Sequence, residues 1–593
     1  GGGGEGGAEG GGEKPRLTRA STRRGALDQG LQRTWQRQAT KDLSSKFGLP
    51  LAAQLLVGQQ RTTEDAKALS KSGSFKPNPH KYFDLGELVK IVEVGDVAFL
   101  RGRWLLDQYA EWNSRPPIAL DRLPRRQDLP PEAFWQPDDF ARQLRKQRLE
   151  VVAVSYCWFT KQHPDPNGDQ LQVLWRAVEL KMHEVDVAIF LDWCSVYQHP
   201  RTLSEQSSFD RAKAETNLIY AHRHTANWRL TDVPQHILPY DERGWTTFER
   251  TVSDLCAHGK AVLDLGRLQK FRTFTKFQEV EEACMVRRSP PLLPNEFSFK
   301  LQSKTFANGR DRAILVRKYR ETFCELVGLA KHLSFSHLAW GADEVVQLAK
   351  VLPECESMQR LDLEGNGVRG TGAEALADAL TQCNLLVELT LKATGLGTPE
   401  ASALARALPH CPLRALDLSD NAIGAEGAAA MAGMLPRSPL EELNLEGNDL
   451  GNGGALAIAE AIRLRGALSD LSLRGNGIGD AGAAMLAAAL RGAAGQQRGL
   501  RRTEPSAAHL NQLDLRDNLI GDEGARAFAA VLPTCTSLEF LNFNFNQIGG
   551  EAAEQLRQAW VGPSKQKDCL GLHVQHQQPN KAASWTITTT VSG

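Results

Sequence analysis

The chain has 593 residues, 41% hydrophobic and 24% charged, with 70 basic and 70 acidic side chains. Such totals describe a globular chain of roughly four ordinary domains, and a net charge of +0 excludes a global pull toward nucleic acid or anionic membrane. No stretch approaches the ~18 consecutive apolar residues of a transmembrane helix, and the opening lacks the charged-then-apolar pattern of an uncleaved signal segment, which leaves only a removed one open.

Residues 1–12, "GGGGEGGAEGGG", cannot build a core and are expected to be disordered. Residues 13–46 are basic, with Lys14, Arg16, Arg19, Arg23, Arg24, Arg33, Arg37, Lys41 and Lys46. With one aromatic, Trp35, among so many charges, this arm reads as a solvated tail rather than a nucleic-acid or lipid contact. Residues 47–76 look weakly helical, and an ordered domain begins around "KPNPHKYFDL" (76–85).

Residues 149–266 alternate strand and helix. "LEVVAVSYCW" (149–158) and "DVAIFLDWCSV" (186–196) suit buried strands, and "KAVLDLG" (260–266) a third. Between them, 168–184, 207–222 and 244–258 carry helical periodicity. The alternation predicts a parallel sheet with helices on both faces. Ligands of such sheets sit beyond the carboxyl ends of the strands. The loops "SYCWFTKQHPDPNG" (155–168) and "DWCSVYQHP" (192–200) are therefore the expected site walls. A proline-rich, then helical, bridge follows over 271–332.

Residues 333–560 are an internal repeat. Its signature Leu-x-Leu-x-x-Asn appears as "LDLEGN" (361–366), "LDLSDN" (416–421), "LNLEGN" (443–448), "LSLRGN" (471–476) and "LDLRDN" (513–518). "LTLKAT" (389–394) ends on Thr394, "LNFNFN" (541–546) carries Phe543, and "LSFSHL" (333–338) is a degenerate opening copy. The spacing is 27 or 28 residues, except for one step of 42 filled by residues 491–509. In each unit two leucines point inward at period 2. The Asn amide satisfies backbone groups where the chain bends out of the strand, and Thr394 can satisfy fewer. A glycine-containing turn and an alanine-rich helix complete a curved solenoid with strands inside and helices outside. Residues 561–593 are left as a C-terminal tail.

These repeats resemble the leucine-rich repeats of the ribonuclease-inhibitor type, and that resemblance implies a protein partner bound on the concave face. The middle strand positions there include Asp362, Asp417, Asn444, Asp514 and Asn542, a polar and acidic ladder suited to a polar or basic partner. Cys355, Cys383, Cys411 and Cys535 recur at one place in the repeat. Ligands one repeat apart do not converge on a metal, so these are core thiols. They suit a reduced, cytoplasmic setting, with cytoskeletal or ciliary association left open.

Neither GxxxxGK[ST], HExxH nor a paired CxxC is present, so no phosphate loop or metal site of those kinds is expected. His222 and His224 form an HxH near Glu215 that reads as surface histidines. No cofactor is required by the sequence. What remains is the α/β segment. "VSYCW" (154–158), "AIFLDWCSVYQ" (188–198), "NLIYAH" (217–222) and "RGWTTFE" (243–249) resemble the heterokaryon-incompatibility (HET) domain. Its Ser-Tyr-x-Trp, Asp-x-x-Cys-x-x-x-Gln and Arg-x-Trp-x-x-x-Glu elements fall on Ser155, Tyr156, Trp158, Asp192, Gln198, Arg243, Trp245 and Glu249, with Tyr220 as the late helical aromatic. Cys194 departs, standing two residues after Asp192 instead of three. The resemblance implies an α/β, TIR/flavodoxin-like fold over 77–270. Some TIR domains cleave NAD with a Glu four residues after a Trp, the spacing of Trp245 and Glu249. Glu249 would then be the catalytic carboxylate, stabilising an oxocarbenium-like state, with Ser155, Tyr156, Trp158, Asp192, Arg243 and Trp245 around the ligand.

Two functional readings follow. In one, the repeats recognise a protein and the α/β module is an effector, either cleaving NAD as substrate or signalling by self-assembly. In the other, the whole chain is a non-enzymatic scaffold, cytoskeletal or regulatory. Glu249 has a competing structural explanation, an ion pair with Arg243 or Arg250 at a helix start.

Overall fold

The computed structural model describes residues 77–114, 122–256, 262–268, 274–464, 467–495, 510–535, 537–560 and 569–572. The expectations for residues 1–76, for most of 491–509 and for the end of the chain lie outside them.

The first part is built on a five-stranded sheet. Its elements are α1 (Leu85–Val94), β1 (Leu100–Arg101), α2 (Gly102–Ser114), α3 (Pro137–Arg145), β2 (Leu149–Tyr156), α4 (Asp169–Met182), β3 (Asp186–Phe190), α5 (Leu203–Ala221), β4 (Thr225–Leu230), α6 (Gly244–Cys256) and β5 (Val262–Asp264). The strand order is β1-β3-β2-β4-β5. β2, β3, β4 and β5 are mutually parallel, while the two-residue β1 runs antiparallel along β3. β2 is a β-branched run buried along nearly its whole length, as a strand covered on both faces must be. The helix α5 starts on a capping box, in which Thr202 and Glu205 satisfy each other's backbone amides.

One strand escapes the sequence pattern. β4, "TANWRL", has no apolar run, yet all six residues are buried. Its Arg229 is neutralised by Asp254 of α6 at 2.8 Å, both side chains at most 5% exposed. A polar strand is affordable in the middle of the sheet because its charge finds a partner on the covering helix. β4 places the reversal of strand order between β2 and β4. The crossover helix α4 covers one face, with Leu171, Leu174 and Val178 against Val152, Val154 and Trp228. α5 and α6 cover the other, with Leu218, Phe248 and Val252 against Val151 and Ala153.

Helices α7 (Phe277–Cys284), α8 (Pro294–Gln302) and α9 (Asp311–Phe323) lead to the second part. An aromatic chain joins them to α6. Phe248 lies 6.3 Å from Phe297, which stacks on Tyr319 at 4.1 Å. The turn Cys324–Gly328 then holds the buried Glu325, which accepts from Tyr82 Oη at 2.9 Å and pairs with Lys81 at 2.8 Å.

The second part is a parallel sheet of nine strands, β6 to β14 in chain order, from His332–Ser334 to Leu570–Gly571. The register stacks Leu333, Leu361, Leu389, Leu416, Leu443, Leu471, Leu513 and Leu541 in one buried ladder, which the half-buried Leu570 continues. β14 lies beyond residue 560, so the sheet extends into what the sequence leaves as tail. Outer helices such as Gly424–Met434 and Gly451–Arg463 are alanine-rich and stack closely. The long step is absorbed without breaking the register, because β11 (Asp470–Ser472) still pairs directly with β12 (Gln512–Asp514).

The Asn ladder works by linking neighbours. Asn448 Nδ2 donates to Leu418 O of the preceding repeat at 2.9 Å and to Leu445 O at 3.1 Å, while Asn476 Oδ1 accepts from Asn448 N at 3.0 Å. The Thr394 hydroxyl donates to Leu391 O of its own turn at 2.7 Å and to Asn421 Oδ1 of the following repeat at 3.3 Å. The rung from this position to the preceding repeat is missing, as its shorter side chain requires. The apolar core of the α5/α6 face runs without interruption into the solenoid core, from Tyr82 to Trp560.

Candidate functional site

Side chains alternate along β2, so Ser155 and Tyr156 leave its carboxyl end toward opposite faces. This divides the predicted site residues into two groups. On the α5/α6 face, Ser155 Oγ donates to Glu249 Oε2, and Tyr240 Oη lies 2.6 Å from the same Oγ. With the serine proton given to Glu249, Tyr240 donates to the serine. The Tyr220 hydroxyl has one proton to share between Glu249 and Val154 O, the latter at 3.0 Å. On the opposite face, Asp192 accepts from Tyr156 Oη and from Trp158 Nε1 at 3.2 Å. Trp158 meets Trp193 edge-on at 5.3 Å, and His163 lies 4.8 Å from the same ring.

The electrostatics follow from burial. A strip of Glu249 stays accessible, but its carboxyl is enclosed by protein, and loss of hydration raises its pKa to about 8. The Ser155 and Tyr220 hydrogen bonds oppose that rise, and the nearby negative Asp192 adds to it. Asp192 is itself raised by desolvation, against the hydrogen bonds from Tyr156 and Trp158. Glu249 is therefore an acid held mostly protonated at neutral pH.

The ion-pair explanation for Glu249 is overturned. Arg243 donates to Trp158 O at 2.9 Å and to Leu238 O at 3.0 Å, and Arg250 pairs with Asp241 at 2.8 Å. Arg243 thus ties two loops together. Trp245 is also directed elsewhere. Its Nε1 donates to Asp311 of α9 at 3.0 Å, where Lys213 of α5 pairs with the same carboxylate at 2.8 Å. Gln198 is buried and braces the turn after β3 through Asp192 O and Val196 O. Of the two histidines expected at the surface, His224 is exposed and His222 is not. His222 is fully buried, bonded to Asp84 O at 3.2 Å, and desolvation lowers its pKa to about 4. No cluster of three or more metal-binding side chains occurs among the described residues.

Sequence reasoning missed Tyr240. It sits in a short turn before α6, and nothing in "PYDE" signals that its hydroxyl reaches Ser155 85 residues away in the chain. The loop after β2 walls a cavity of about 320 Å³ together with the segment after β4, and Trp193 of the second loop lines only a smaller cavity of about 20 Å³. Glu249 lines neither.

On the solenoid, the middle-ladder side chains turn back on the chain. Asp362, Asp417, Asn444, Asp514 and Asn542 each accept, through Oδ1, the backbone N–H two residues on, at 2.9–3.0 Å. Asp514 is 0% exposed and also holds Arg516. These residues shape the concave strands more than they present charge. The flanking column, Arg360, Glu388, Glu442 and Asp470, is charged and half-buried. Glu388 pairs with Arg360 at 2.8 Å, whereas no described residue pairs with Glu442. Burial, then Asp470, Glu388 and Glu441, raise the Glu442 pKa.

A leucine-rich-repeat family model matches residues 354–377, 410–432, 438–459, 468–487, 506–529 and 534–556. Residues 354–556 are accordingly a leucine-rich-repeat array, consistent with recognition of a protein. The repeat that ends on Thr394 falls between the first two matched stretches. No curated protein matches the chain. No helix among the described residues is long and apolar enough to cross a membrane.

Proposed function

We propose that this chain is a recognition protein in which the leucine-rich repeats bind a protein partner and the α/β module, of TIR/HET-like build, is the effector that they position. The observation that carries the effector reading is the placement of Glu249. Its carboxyl is held by Ser155 and Tyr220 at the carboxyl end of β2, beside the reversal of strand order between β2 and β4, where open α/β sheets bind ligands. Cleavage of NAD at the nicotinamide–ribose bond fits a carboxylate there. Ionised Glu249 would oppose the positive charge that develops on the ribose, with the Tyr240–Ser155 pair holding its orientation. Ionisation near pH 8 makes such activity rise with pH through that value. The parallel strands run in the order 2-1-3-4, the doubly wound order, which supports the TIR/flavodoxin-like assignment.

For the partner, the flanking concave column is the better face, and its unpaired Glu442 beside Asp470 suits a basic segment. Like charges in register across strands cost stability, a cost that a partner's Lys or Arg would offset. Assembly through the α/β module would bring several such sites together.

The test is nicotinamide release from NAD by the full chain, free and artificially clustered. Release that is lost in Glu249→Gln supports cleavage. No release from folded, clustered protein leaves the second reading, a scaffold without catalysis. One observation favours that reading: Glu249 opens on neither cavity at this edge.

A further inference from the structure

Arg229 does more than balance Asp254. On β4 it stands in register with Ser155 of β2 on one side and with Asp264 of β5 on the other. Registered neighbours in a parallel sheet share a face, and their strands lie roughly 4.8 Å apart. The Arg229 stem therefore starts beside the serine that holds Glu249. Its Nη2 donates to Ser253 Oγ at 3.1 Å and to Asp254 Oδ1 at 2.8 Å, while its buried Nε has no partner. The guanidinium is thus only partly committed to α6. Its charge also reaches Tyr240, whose hydroxyl lies 2.6 Å from Ser155 Oγ. Burial raises the Tyr240 pKa, and the Arg229 charge opposes that rise.

Distance alone leaves the direction of the Tyr240–Ser155 bond open, since either hydroxyl can donate. Run toward Glu249, every proton in the chain finds an acceptor: the phenol donates to Ser155 Oγ, and Ser155 donates to Glu249 Oε2. Run the other way, Glu249 must carry its proton on Oε2, and the Tyr240 proton is left over. Ser155 is the only hydrogen-bond partner of the Tyr240 hydroxyl among the described residues. That proton would lie in a buried side chain without an acceptor. Arg229 adds a second bias. A guanidinium donates, never accepts and stays charged, and a fixed cation favours the phenol oxygen, not its hydrogen, on the side that faces it.

We infer that Arg229 is a positioning residue for Glu249: its fixed charge gives the Tyr240–Ser155 chain one direction, so that Glu249 Oε2 always accepts from Ser155 and the proton that Glu249 binds and releases is carried on Oε1. This rests on the reading of Glu249 as the reacting carboxylate only for its consequence in catalysis; the direction of the chain belongs to the folded protein. One carboxyl oxygen is thereby committed, and only the other exchanges a proton. Other titratable groups face the same chain. Asp192 and the Tyr220 hydroxyl act on Glu249 from the turn after β3 and from α5, and Cys157 lies near it at the end of β2. Asp254 and Asp264 face Arg229 from α6 and β5. None of these is a permanent donor.

The experiment is urea unfolding of the full chain from about pH 5 to about pH 9.5, each protein beside its Glu249→Gln counterpart. The stability difference within a pair grows with pH and levels off once the folded Glu249 is ionised, and the levelling point is the readout. Tyr240→Phe weakens Ser155 as a donor to the ionised carboxylate, so it should move that point up by about half a pH unit. A chain running the other way would move it down, because the neutral carboxyl would lose its outlet. Tyr240→Phe is then repeated in two backgrounds. Arg229→Met with Asp254→Leu replaces the buried pair by apolar groups, an exchange that folds commonly tolerate, and Arg229→Lys keeps the charge. The upward shift should vanish in the first and persist in the second. No shift, or a downward one, from Tyr240→Phe in the otherwise unaltered chain overturns the direction. An equal upward shift without the Arg229 charge overturns the role of Arg229. Nicotinamide release plays no part in this readout, so the cleavage reading and this one fail separately.

Discussion

The Arg288 guanidinium lies 4.9 Å from the centre of the Phe335 ring, and this contact joins the helix that carries Glu249 to the first leucine-rich repeat. Arg288 Nη2 donates to Leu255 O at 2.5 Å and Nε to Asp254 O, at the end of α6. Its own carbonyl accepts from Trp340 Nε1 at 2.7 Å, and Trp340 stacks on Phe335 at 5.1 Å. One buried side chain thus satisfies the last carbonyls of α6 and packs on the solenoid cap. Replacement by Met keeps the stem but leaves those carbonyls without their donor. Arg288→Met should cost about 2–4 kcal/mol, and calorimetry should show the α/β part melting before the solenoid. A single transition at the wild-type temperature would show that Arg288 is not the coupling element.

Glu249 gives a pH-dependent stability with a definite sign. Its folded pKa of about 8 lies above the ordinary carboxyl value near ~4.3. Between those values the folded state holds the proton more tightly than the unfolded state, so stability falls as pH rises through the window. Glu249→Gln removes that loss. The variant should match the wild type near pH 4 and exceed it by roughly 2–4 kcal/mol near pH 8.5. Urea unfolding across this range measures the gap, and a gap that does not widen with pH would falsify the burial account.

The Asn ladder predicts opposite effects at two equivalent positions. Asn448→Ala strands three carbonyl acceptors around a fully buried side chain and should destabilise by about 2–4 kcal/mol. Thr394→Asn supplies the missing donor to the preceding repeat and should stabilise by about 0.5–1 kcal/mol. Chemical denaturation of both variants settles the matter, since equal effects would mean that the inter-repeat bond contributes nothing.

On the concave face, shape and charge should separate. Asp514→Ala removes the acceptor for Arg516 N and for the Arg516 guanidinium, and about 1–3 kcal/mol of stability should go with it. Glu442→Lys should leave stability within about 0.5 kcal/mol or raise it, by relieving repulsion from Asp470, while weakening a basic partner. Thermal melts read the first, and binding of a basic peptide library by wild type and variant reads the second. Equal binding would move the interface elsewhere.

The residues that the sequence makes legible are those whose role repeats or is local. Leu361, Leu389, Leu416 and their successors declare a solenoid because each copy restates the same period, and the inter-repeat bonds of Asn448 follow from its place at the bend. The buried strands β2 and β3 are apolar runs. By contrast, β4 is hidden because Arg229 is neutralised by Asp254, 25 residues away, and local composition does not register such a partner. The turn-residue role of Asp417 and Asp514 was hidden too, since a carboxylate in a strand reads as surface charge until the N–H beyond it is located.

The sequence by itself determined the repeat array, its register of leucines, the parallel α/β segment before it, and the candidates Ser155, Asp192 and Glu249. Only the tertiary structure decided how those candidates group. The pleat of β2 sends Ser155 to Glu249 and Tyr156 to Asp192 on opposite faces, a division that neighbouring letters in a motif conceal. It also decided what Glu249 meets, because its hydrogen-bond partners come from Ser155 on β2 and Tyr220 on α5, with Tyr240 behind the serine. Separation along the chain carries no information about such contacts, and packing of the two helices against the sheet brings them within hydrogen-bond reach.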